Sequence, residues 1–198
     1  MMEDKEMQIL KDRIRKDGKI REGNVLKVDS FLNHQMDVSL FREIGKEFKR
    51  RFEGEEITKI LTIEHPVSVL PVLLPKFSTF RLSFAKKDAD QKISQEMSIP
   101  HRWSPILTEE STTSIVSREF LGPDDKVLLI DDFMANGKAM EGLIQIVKDS
   151  GAQLVGAGIV IEKGFQPGGD ALRDQGVHLE SLAIVESMDE KTGEIVFR

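Results

Sequence analysis

Val127-Leu128-Leu129-Ile130-Asp131-Asp132-Phe133-Met134-Ala135-Asn136-Gly137-Lys138-Ala139 is the stretch that decides the fold of this chain. An unbroken apolar run ends there in two carboxylates, and a short loop with one glycine follows. After its first lysine, the run at residues 126–130 has no polar side chain, which predicts a strand covered on both faces, as in a parallel sheet between helices. Ligands of such sheets bind beyond the carboxyl ends of the strands, where Asp131 and Asp132 are expected to lie.

The residues after this loop predict a helix and then a second strand. Because the main-chain N–H groups of residues 135–139 precede the first helical hydrogen bonds, they are expected to face a bound anion, and Gly137 permits close approach and a tight turn. The apolar run at residues 153–161 predicts the next parallel strand, joined by a right-handed connection. The apolar helix positions and the glycine expected to cap the helix are Met140, Leu143, Ile144, Val147 and Gly151.

Two interpretations of the acidic pair stay open on spacing alone. Carboxylates accept hydrogen bonds at both oxygens, so Asp131 and Asp132 suit the vicinal hydroxyls of a sugar. An Asp-Asp pair after a strand is also ordinary turn chemistry, and Asn-Gly is a common turn dipeptide. A lone glycine loop is a weak signal for phosphate binding.

Composition predicts a single soluble domain over residues 1–198. The chain has 198 residues, a mass of 22.4 kDa, a net charge of −6 and no cysteine. The missing cysteines exclude disulfides and thiol catalysis, and the acidic balance argues against a general nucleic-acid surface. The charged start at residues 1–5 is unlike a signal peptide, and no apolar run has membrane-spanning length. We therefore expect a cytoplasmic protein with no nucleic-acid or membrane partner.

Periodicity gives a coarse map of the remaining elements. Helices are predicted around residues 7–14, ending near Gly18, and around residues 40–48. No period is evident between residues 88 and 117, which predicts a long polar loop. Strands are predicted at Ile57–Glu64, Phe80–Ala85, Val127–Ile130, Gln153–Ile161 and Val177–Val185.

Three stretches, in order along the chain, resemble the type I phosphoribosyltransferases and, among them, the bacterial xanthine phosphoribosyltransferases. They are the acidic strand end with its Ala-Asn-Gly-Lys-Ala loop, the N-terminal segment 25–35, and the segment 158–168 after the next strand. The resemblance implies an α/β fold, a parallel twisted sheet with helices on both faces. It also implies a base-recognition segment at residues 1–36 and a mobile hood loop at residues 88–117.

The same resemblance implies roles for individual residues. Asp131 and Asp132 would act at the ribose as the catalytic carboxylates. Mg²⁺ would arrive with the pyrophosphate, so no protein metal ligands are expected, and the family implies a homodimer. The residues implied to bind phosphoribosyl pyrophosphate are Ala135, Asn136, Gly137, Lys138, Ala139, Lys86 and Lys87. Those implied to bind xanthine are Leu26, Asn33, Lys163 and Phe165.

The chemistry of these side chains agrees with the implied roles. Asn33 offers a donor and an acceptor together, and Lys163 is a donor-only cation that favours an oxo group or an anionic purine. Phe165 is either a stacking partner of the purine or a core aromatic. Lys86 and Lys87 keep the positive charge that the family places near the pyrophosphate, without the bidentate fork of an arginine. Two solvated lysines at a strand end are the alternative.

One segment departs from the family. Residues 65–75 contain three prolines and no glycine, where the family carries a glycine- and alanine-rich loop around the pyrophosphate. Proline removes amide donors, which predicts weakened binding of the sugar donor. Two other functions therefore stay open: a non-catalytic, purine-responsive regulator of the same fold, and a phosphoribosyltransferase for another base. Lys163 opposes adenine, whose exocyclic amine is a donor.

Overall fold

A computed structural model of the chain describes residues 7–63, 81–87, 98–103 and 112–198. These ranges contain four helices and ten strands. In chain order they are α1 (Gln8–Asp17), β1 (Lys19–Arg21), β2 (Val25–Lys27), α2 (Val38–Arg51), β3 (Lys59–Ile63), β4 (Arg81–Lys87), β5 (Ser98–Trp103), β6 (Thr112–Ser117), β7 (Lys126–Met134), α3 (Lys138–Ser150), β8 (Gln153–Lys163), α4 (Gly168–Asp174), β9 (Leu179–Met188) and β10 (Ile195–Phe197).

Eight of the strands form one twisted sheet in the order β10-β9-β8-β7-β3-β4-β6-β5. The five central strands, from β9 to β4, run parallel, and the strands added at both edges are antiparallel. Strands β1 and β2 pair separately as a hairpin. This arrangement confirms the predicted α/β fold, because helices pack on both faces of a mostly parallel sheet.

Strand β7 shows why its sequence is apolar without alternation. Val127 and Leu129 pack into the core on the α3 side, whereas Leu128 and Ile130 pack into the core beneath α1 and α2. All four side chains are buried. The prediction of a strand covered on both faces is therefore confirmed.

Helix α2 begins at a side-chain cap. Asp37 accepts hydrogen bonds from the main-chain N–H groups of Ser39 and Leu40 at 3.1 and 3.2 Å, which satisfies two donors of the first turn. Its apolar stripe then packs on the sheet at helical spacing. The buried apolar residues of the stripe are Leu40, Phe41, Ile44 and Phe48.

The predicted loop between residues 88 and 117 is wrong in part. Strands β5 and β6 lie within it and pair antiparallel, from Ser98 opposite Ser117 to Trp103 opposite Thr112. Strand β6 also pairs with the end of β4, so the hairpin extends the sheet. Each strand is stabilised by main-chain hydrogen bonds to its partner, which the hydrophobic pattern of its own residues does not show. The hood role of this segment stays a prediction.

The sequence patterns also did not predict the shortest elements or the full length of β7. The β1–β2 hairpin, α4 and β10 were not predicted, and β7 continues four residues beyond the expected end at Ile130. The glycine-free segment at residues 65–75 lies outside the described residues. Among the helices within the described ranges, none is both long and apolar enough to cross a membrane.

Candidate active site

The acidic pair lies inside the last part of β7 and not after it. On one side, the pairing of β7 with β8 continues through Asp131, opposite Ile159, to Met134. On the other side, the described pairing with β3 ends at Leu129. The expected position beyond the strand is therefore corrected by a few residues. Asp131 and Asp132 still lie at the carboxyl edge of the parallel sheet, where ligands of this fold class bind.

The two carboxylates are held by the adjacent backbone. Asp131 Oδ1 accepts the main-chain N–H of Asp132 at 2.9 Å, and Asp132 Oδ1 accepts that of Phe133 at 2.8 Å. Burial raises the pKa of Asp131 well above its ordinary value, and the negative charge of Asp132 and a hydrogen bond between the two side chains raise it further. Ionisation of Asp131 beside Asp132 is therefore unfavourable, and a ligand that donates hydrogen bonds to Asp131 lowers this cost.

The raised pKa predicts that Asp131→Asn stabilises the unliganded protein at neutral pH. Asparagine keeps the acceptor for the N–H of Asp132 and cannot ionise. Since the folded pKa exceeds the unfolded one, ionisation destabilises the folded state as the pH rises through the folded pKa. The free energy of unfolding, measured with urea, should therefore exceed that of the wild type at neutral pH. The difference should vanish below the ordinary pKa of aspartate, and a variant less stable than the wild type at neutral pH would contradict this account.

The β7–α3 loop, residues 135–137, leads from the carboxylates into α3. Gly137 has φ 82°, a left-handed backbone conformation that residues other than glycine adopt only with strain. Asn136 Oδ1 accepts the main-chain N–H of Lys138 at 3.1 Å, whereas the amides of Asn136 and Gly137 donate to no acceptor within the described part of the chain. Both amides lie at the N-terminus of α3, where the helix dipole is positive. The loop can therefore bind an anion.

Lys138 does not point its ammonium into the loop. Its Nζ contacts Glu141 Oε2 at 2.9 Å on the exposed side of α3. An exposed pair of this kind contributes little to stability. Any contact of Lys138 with a bound phosphate therefore uses its main chain or requires this pair to open.

Asn33 brings the N-terminal segment to the acidic pair. With the amide nitrogen turned toward the neighbouring oxygens, it donates to Asp132 Oδ2 and to the carbonyl of Leu32, both at 3.3 Å. A compact turn positions the residue, since the Val28 carbonyl accepts the N–H groups of Phe31 and Leu32. A residue assigned to the base and a residue assigned to the sugar therefore meet in one place.

Lys163 ends β8 and reaches the tip of the β1–β2 hairpin. Its Nζ donates to the Asn24 carbonyl at 2.9 Å. Burial lowers the pKa of Lys163 because it disfavours the ammonium form. An ammonium has three donors, so this bond leaves capacity for a ligand.

The two remaining base-recognition candidates differ in exposure. Leu26 lies on β2 and is only 5% exposed, packed in the core beneath the hairpin, so a ligand would meet mainly its main chain. Phe165 follows Lys163 and is 38% exposed. The exposed ring of Phe165 argues against the core alternative for this residue and leaves a stacking role open.

Lys86 and Lys87 are the last residues of β4, at the same edge of the sheet. Leu61 of β3 pairs with both Leu129 of β7 and Ser83 of β4. Counting three residues along each strand places Lys86 level with Asp132, two strands and roughly 10 Å away. The backbone therefore places both lysines near the acidic pair.

Sequence reasoning missed the residues that lie behind the site. Glu162, Arg173 and Ser181 form a hydrogen-bonded group beneath the turn that follows β8. No local pattern marks them, because they come from β8, α4 and β9. Within the described ranges, no three His, Cys, Asp or Glu side chains form a metal-binding group.

The assembled edge combines three kinds of recognition chemistry. Two carboxylates supply acceptors for hydroxyl groups, and the β7–α3 loop supplies main-chain donors for an anion. For a polar ring, Lys163 supplies donors and the amide oxygen of Asn33 supplies an acceptor. A sugar phosphate joined to an oxygen-bearing heterocycle satisfies all three at once.

Known proteins resemble this chain along nearly its whole length. A protein family described as "Phosphoribosyl transferase domain" matches residues 45–178. The xanthine phosphoribosyltransferase of Lachnoclostridium phytofermentans is 54% identical over 192 residues, covering 97% of this chain and 98% of that protein. The xanthine phosphoribosyltransferase of Bifidobacterium animalis subsp. lactis is 49% identical over 193 residues, with coverage of 97% and 100%.

Solved structures share the fold at lower identity. An adenine phosphoribosyltransferase from Rhodothermus marinus has a TM-score of 0.71 and 21% identity, covering 90% of this chain and 98% of that one. The enzyme from Trypanosoma brucei, solved with AMP, pyrophosphate and ribose-5-phosphate, also gives 0.71 and 21%, with coverage of 88% and 78%. At this identity the likeness concerns the fold.

Proposed function

This chain belongs to the phosphoribosyltransferase family, and from that premise we propose that it transfers 5-phosphoribose from phosphoribosyl pyrophosphate to xanthine. The products are xanthosine 5′-monophosphate and pyrophosphate. The single observation that carries the proposal is the acidic pair at the end of β7, joined to the β7–α3 loop on one side and to Asn33 on the other. Full-length relatives named xanthine phosphoribosyltransferase support the choice of base.

The sugar phosphate is proposed to bind along β7 and the loop after it. The carboxylates of Asp131 and Asp132 accept from the ribose hydroxyls, which lowers the cost of ionising Asp131. The 5-phosphate lies at the amides of Asn136 and Gly137, at the start of α3, where the helix dipole favours negative charge. The proposed phosphate site also includes Ala135, Lys138 and Ala139.

The base is proposed to bind between the N-terminal segment and the end of β8. The amide oxygen of Asn33 accepts from a ring N–H, because its two donors already bond to Leu32 and Asp132, and the Lys163 ammonium faces an oxo group. Phe165 stacks on the ring, and Leu26 borders it through the main chain of β2. The Lys163 donor suits an oxopurine and offers no acceptor to the exocyclic amine of adenine.

The reaction joins a purine ring nitrogen to the anomeric carbon as the bond from that carbon to pyrophosphate breaks. The nitrogen gives up its proton, and pyrophosphate leaves with the electron pair of the broken bond. Positive charge develops on the sugar in between, so Asp131 and Asp132 stabilise the transition state through their ionised carboxylates. Most of the remaining rate enhancement comes from holding base and sugar in line.

Mg²⁺ is proposed to enter with the pyrophosphate. The adjacent carboxylates of β7 are the type of oxygen ligand that Mg²⁺ takes in small number when a phosphate substrate supplies the rest. When bound, the cation offsets the charge on the leaving pyrophosphate. Lys86 and Lys87 are proposed to contact the same group from the end of β4.

We place the protein in the cytoplasm. We further propose a homodimer and no nucleic-acid partner. Gel filtration with light scattering tests the dimer directly.

A steady-state assay with phosphoribosyl pyrophosphate, Mg²⁺ and four purines tests the function. We expect the highest kcat/KM with xanthine, lower values with guanine and hypoxanthine, and no turnover with adenine. Best activity with adenine would contradict the assignment of the base site. Tight donor binding by calorimetry without turnover of any purine would instead support the regulator, which the glycine-free residues 65–75 favour.

A further inference from the structure

The first residue of α4 packs directly on the β7–α3 loop. Gly168 is buried, and its N–H donates to the Ala135 carbonyl at 3.1 Å. Gly137 also lies against it, since a Cβ placed on Gly137 would come within 3.1 Å of the Gly168 Cα. Gly168 lies a few residues after Lys163, so the segment that follows Lys163 packs on the β7–α3 loop.

No side chain fits at position 168 in this arrangement. A Cβ built on Gly168 would lie 2.5 Å from both the Ala135 carbonyl oxygen and the Gly137 nitrogen, and 2.6 Å from the Asn136 carbonyl carbon. All three are main-chain atoms, which cannot rotate away as the end of a flexible side chain can. Even a methyl group at position 168 must therefore displace the loop or the start of α4.

An ion pair between Arg173 of α4 and the buried carboxylate of Glu162 anchors this short helix. Arg173 donates from both terminal nitrogens to the two oxygens of Glu162, at 2.9 and 2.7 Å, and the Ser181 hydroxyl donates to the same carboxylate. Glu162 is 1% exposed and lies under Gly169, where a Cβ would come within 1.9 Å of its Oε1. Burial acts to raise the pKa of Glu162, but the bonds from Arg173 and Ser181 outweigh it and leave the pKa lowered.

We infer that Gly168 is a positioning residue for the β7–α3 loop, and that the Glu162–Arg173 pair holds it in place. The inference rests on the proposed function, because it takes the loop as the site of the 5-phosphate. Gly168 touches the loop backbone and not the reacting atoms. Its role is to set the direction of the loop amides.

Gly168→Ala tests this role through ligands that do and do not carry the phosphate. Ribose 5-phosphate and xanthine are titrated separately by calorimetry against the wild type and the variant. We expect ribose 5-phosphate to bind about ten- to a hundredfold more weakly to the variant, because a displacement of about 1 Å has effects of that size. Xanthine affinity should change little, since Lys163 and Asn33 stay in place.

Gly122→Ala is the matched control. A Cβ at Gly122 meets no atom within 4 Å, so this variant should bind both ligands like the wild type. Equal affinity of Gly168→Ala and the wild type for ribose 5-phosphate would overturn the positioning role while leaving the proposed function untouched. A wild-type protein that binds no ribose 5-phosphate would contradict the proposed function and the role of Gly168 with it.

A second pair of variants decides the matter if Gly168→Ala does not fold. Arg173→Met removes the ion pair, and Arg173→Lys keeps one charged donor to Glu162. We expect Arg173→Met to weaken the binding of ribose 5-phosphate more than the binding of xanthine. Arg173→Lys should restore part of the lost affinity for ribose 5-phosphate. Parallel losses for both ligands, with no rescue by lysine, would assign the pair to stability alone and overturn the inference.

Discussion

The double variant Asp131→Asn, Asp132→Asn is expected to lose measurable binding of phosphoribosyl pyrophosphate while keeping its fold. Each substitution replaces a charged acceptor of the ribose hydroxyls with a neutral amide. A hydrogen bond to a charged group contributes about 1.5 to 3 kcal/mol, so two such losses weaken binding by about 10²- to 10⁴-fold. Calorimetry measures the affinity, and far-ultraviolet circular dichroism checks the fold.

The control for this variant removes two aspartates elsewhere. Asp124 and Asp149 are exposed, so Asp124→Asn with Asp149→Asn changes the net charge equally without touching the site. The control should bind the donor with wild-type affinity, apart from a small long-range effect that added salt removes. If the double variant at residues 131 and 132 also binds like the wild type, the ribose does not lie at β7.

The fold could be predicted where hydrophobic patterning is continuous. The apolar run before Asp131 and the helical spacing after Gly137 each span several residues, and both elements are found where the patterns placed them. Gly18 and Gly151 mark the ends of α1 and α3 as expected. Buried elements carry their periodicity in their own residues, so they can be recognised without their neighbours.

The end of β7 could not be predicted in the same way. Its apolar run stops at Ile130, but pairing with β8 continues through the acidic residues to Met134. The hydrogen bonds of a neighbouring strand, and not side-chain hydrophobicity, set where a strand ends. Strands β5 and β6 were missed for the same reason, because each is specified by its partner.

In the candidate site too, some features could be predicted from a single stretch of sequence and others could not. Asp131, Asp132 and the loop after them are contiguous in sequence, so one stretch was enough to nominate them. The contact of Asn33 with Asp132 and the pairing of Glu162 with Arg173 join segments that sequence spacing does not relate. The sequence indicated the residues that we propose to contact ligand, and only the fold reveals the residues that hold them in place.

Lys163 is expected to have two separable effects, because its ammonium bonds to the Asn24 carbonyl and is also proposed to contact the purine. Its bond to the Asn24 carbonyl holds the β1–β2 hairpin against the end of β8, a contact that serves every purine equally. Its charge facing an oxo group or an anionic ring serves xanthine most, since xanthine has two oxo groups and ionises more readily than hypoxanthine. Comparison of the two purines therefore separates the effects.

Lys163→Ala is accordingly expected to weaken the binding of xanthine more than the binding of hypoxanthine. Loss of one charge-assisted hydrogen bond costs about 1.5 to 3 kcal/mol, which is about a ten- to hundredfold loss of xanthine affinity. Burial lowers the pKa of Lys163, so the affinity of the wild type for xanthine should fall at alkaline pH as the ammonium is lost. The variant should not show this fall in affinity. Lys148→Ala, at an exposed position of α3, controls for net charge. Equal losses for both purines, measured by calorimetry, would assign Lys163 to the hairpin contact alone.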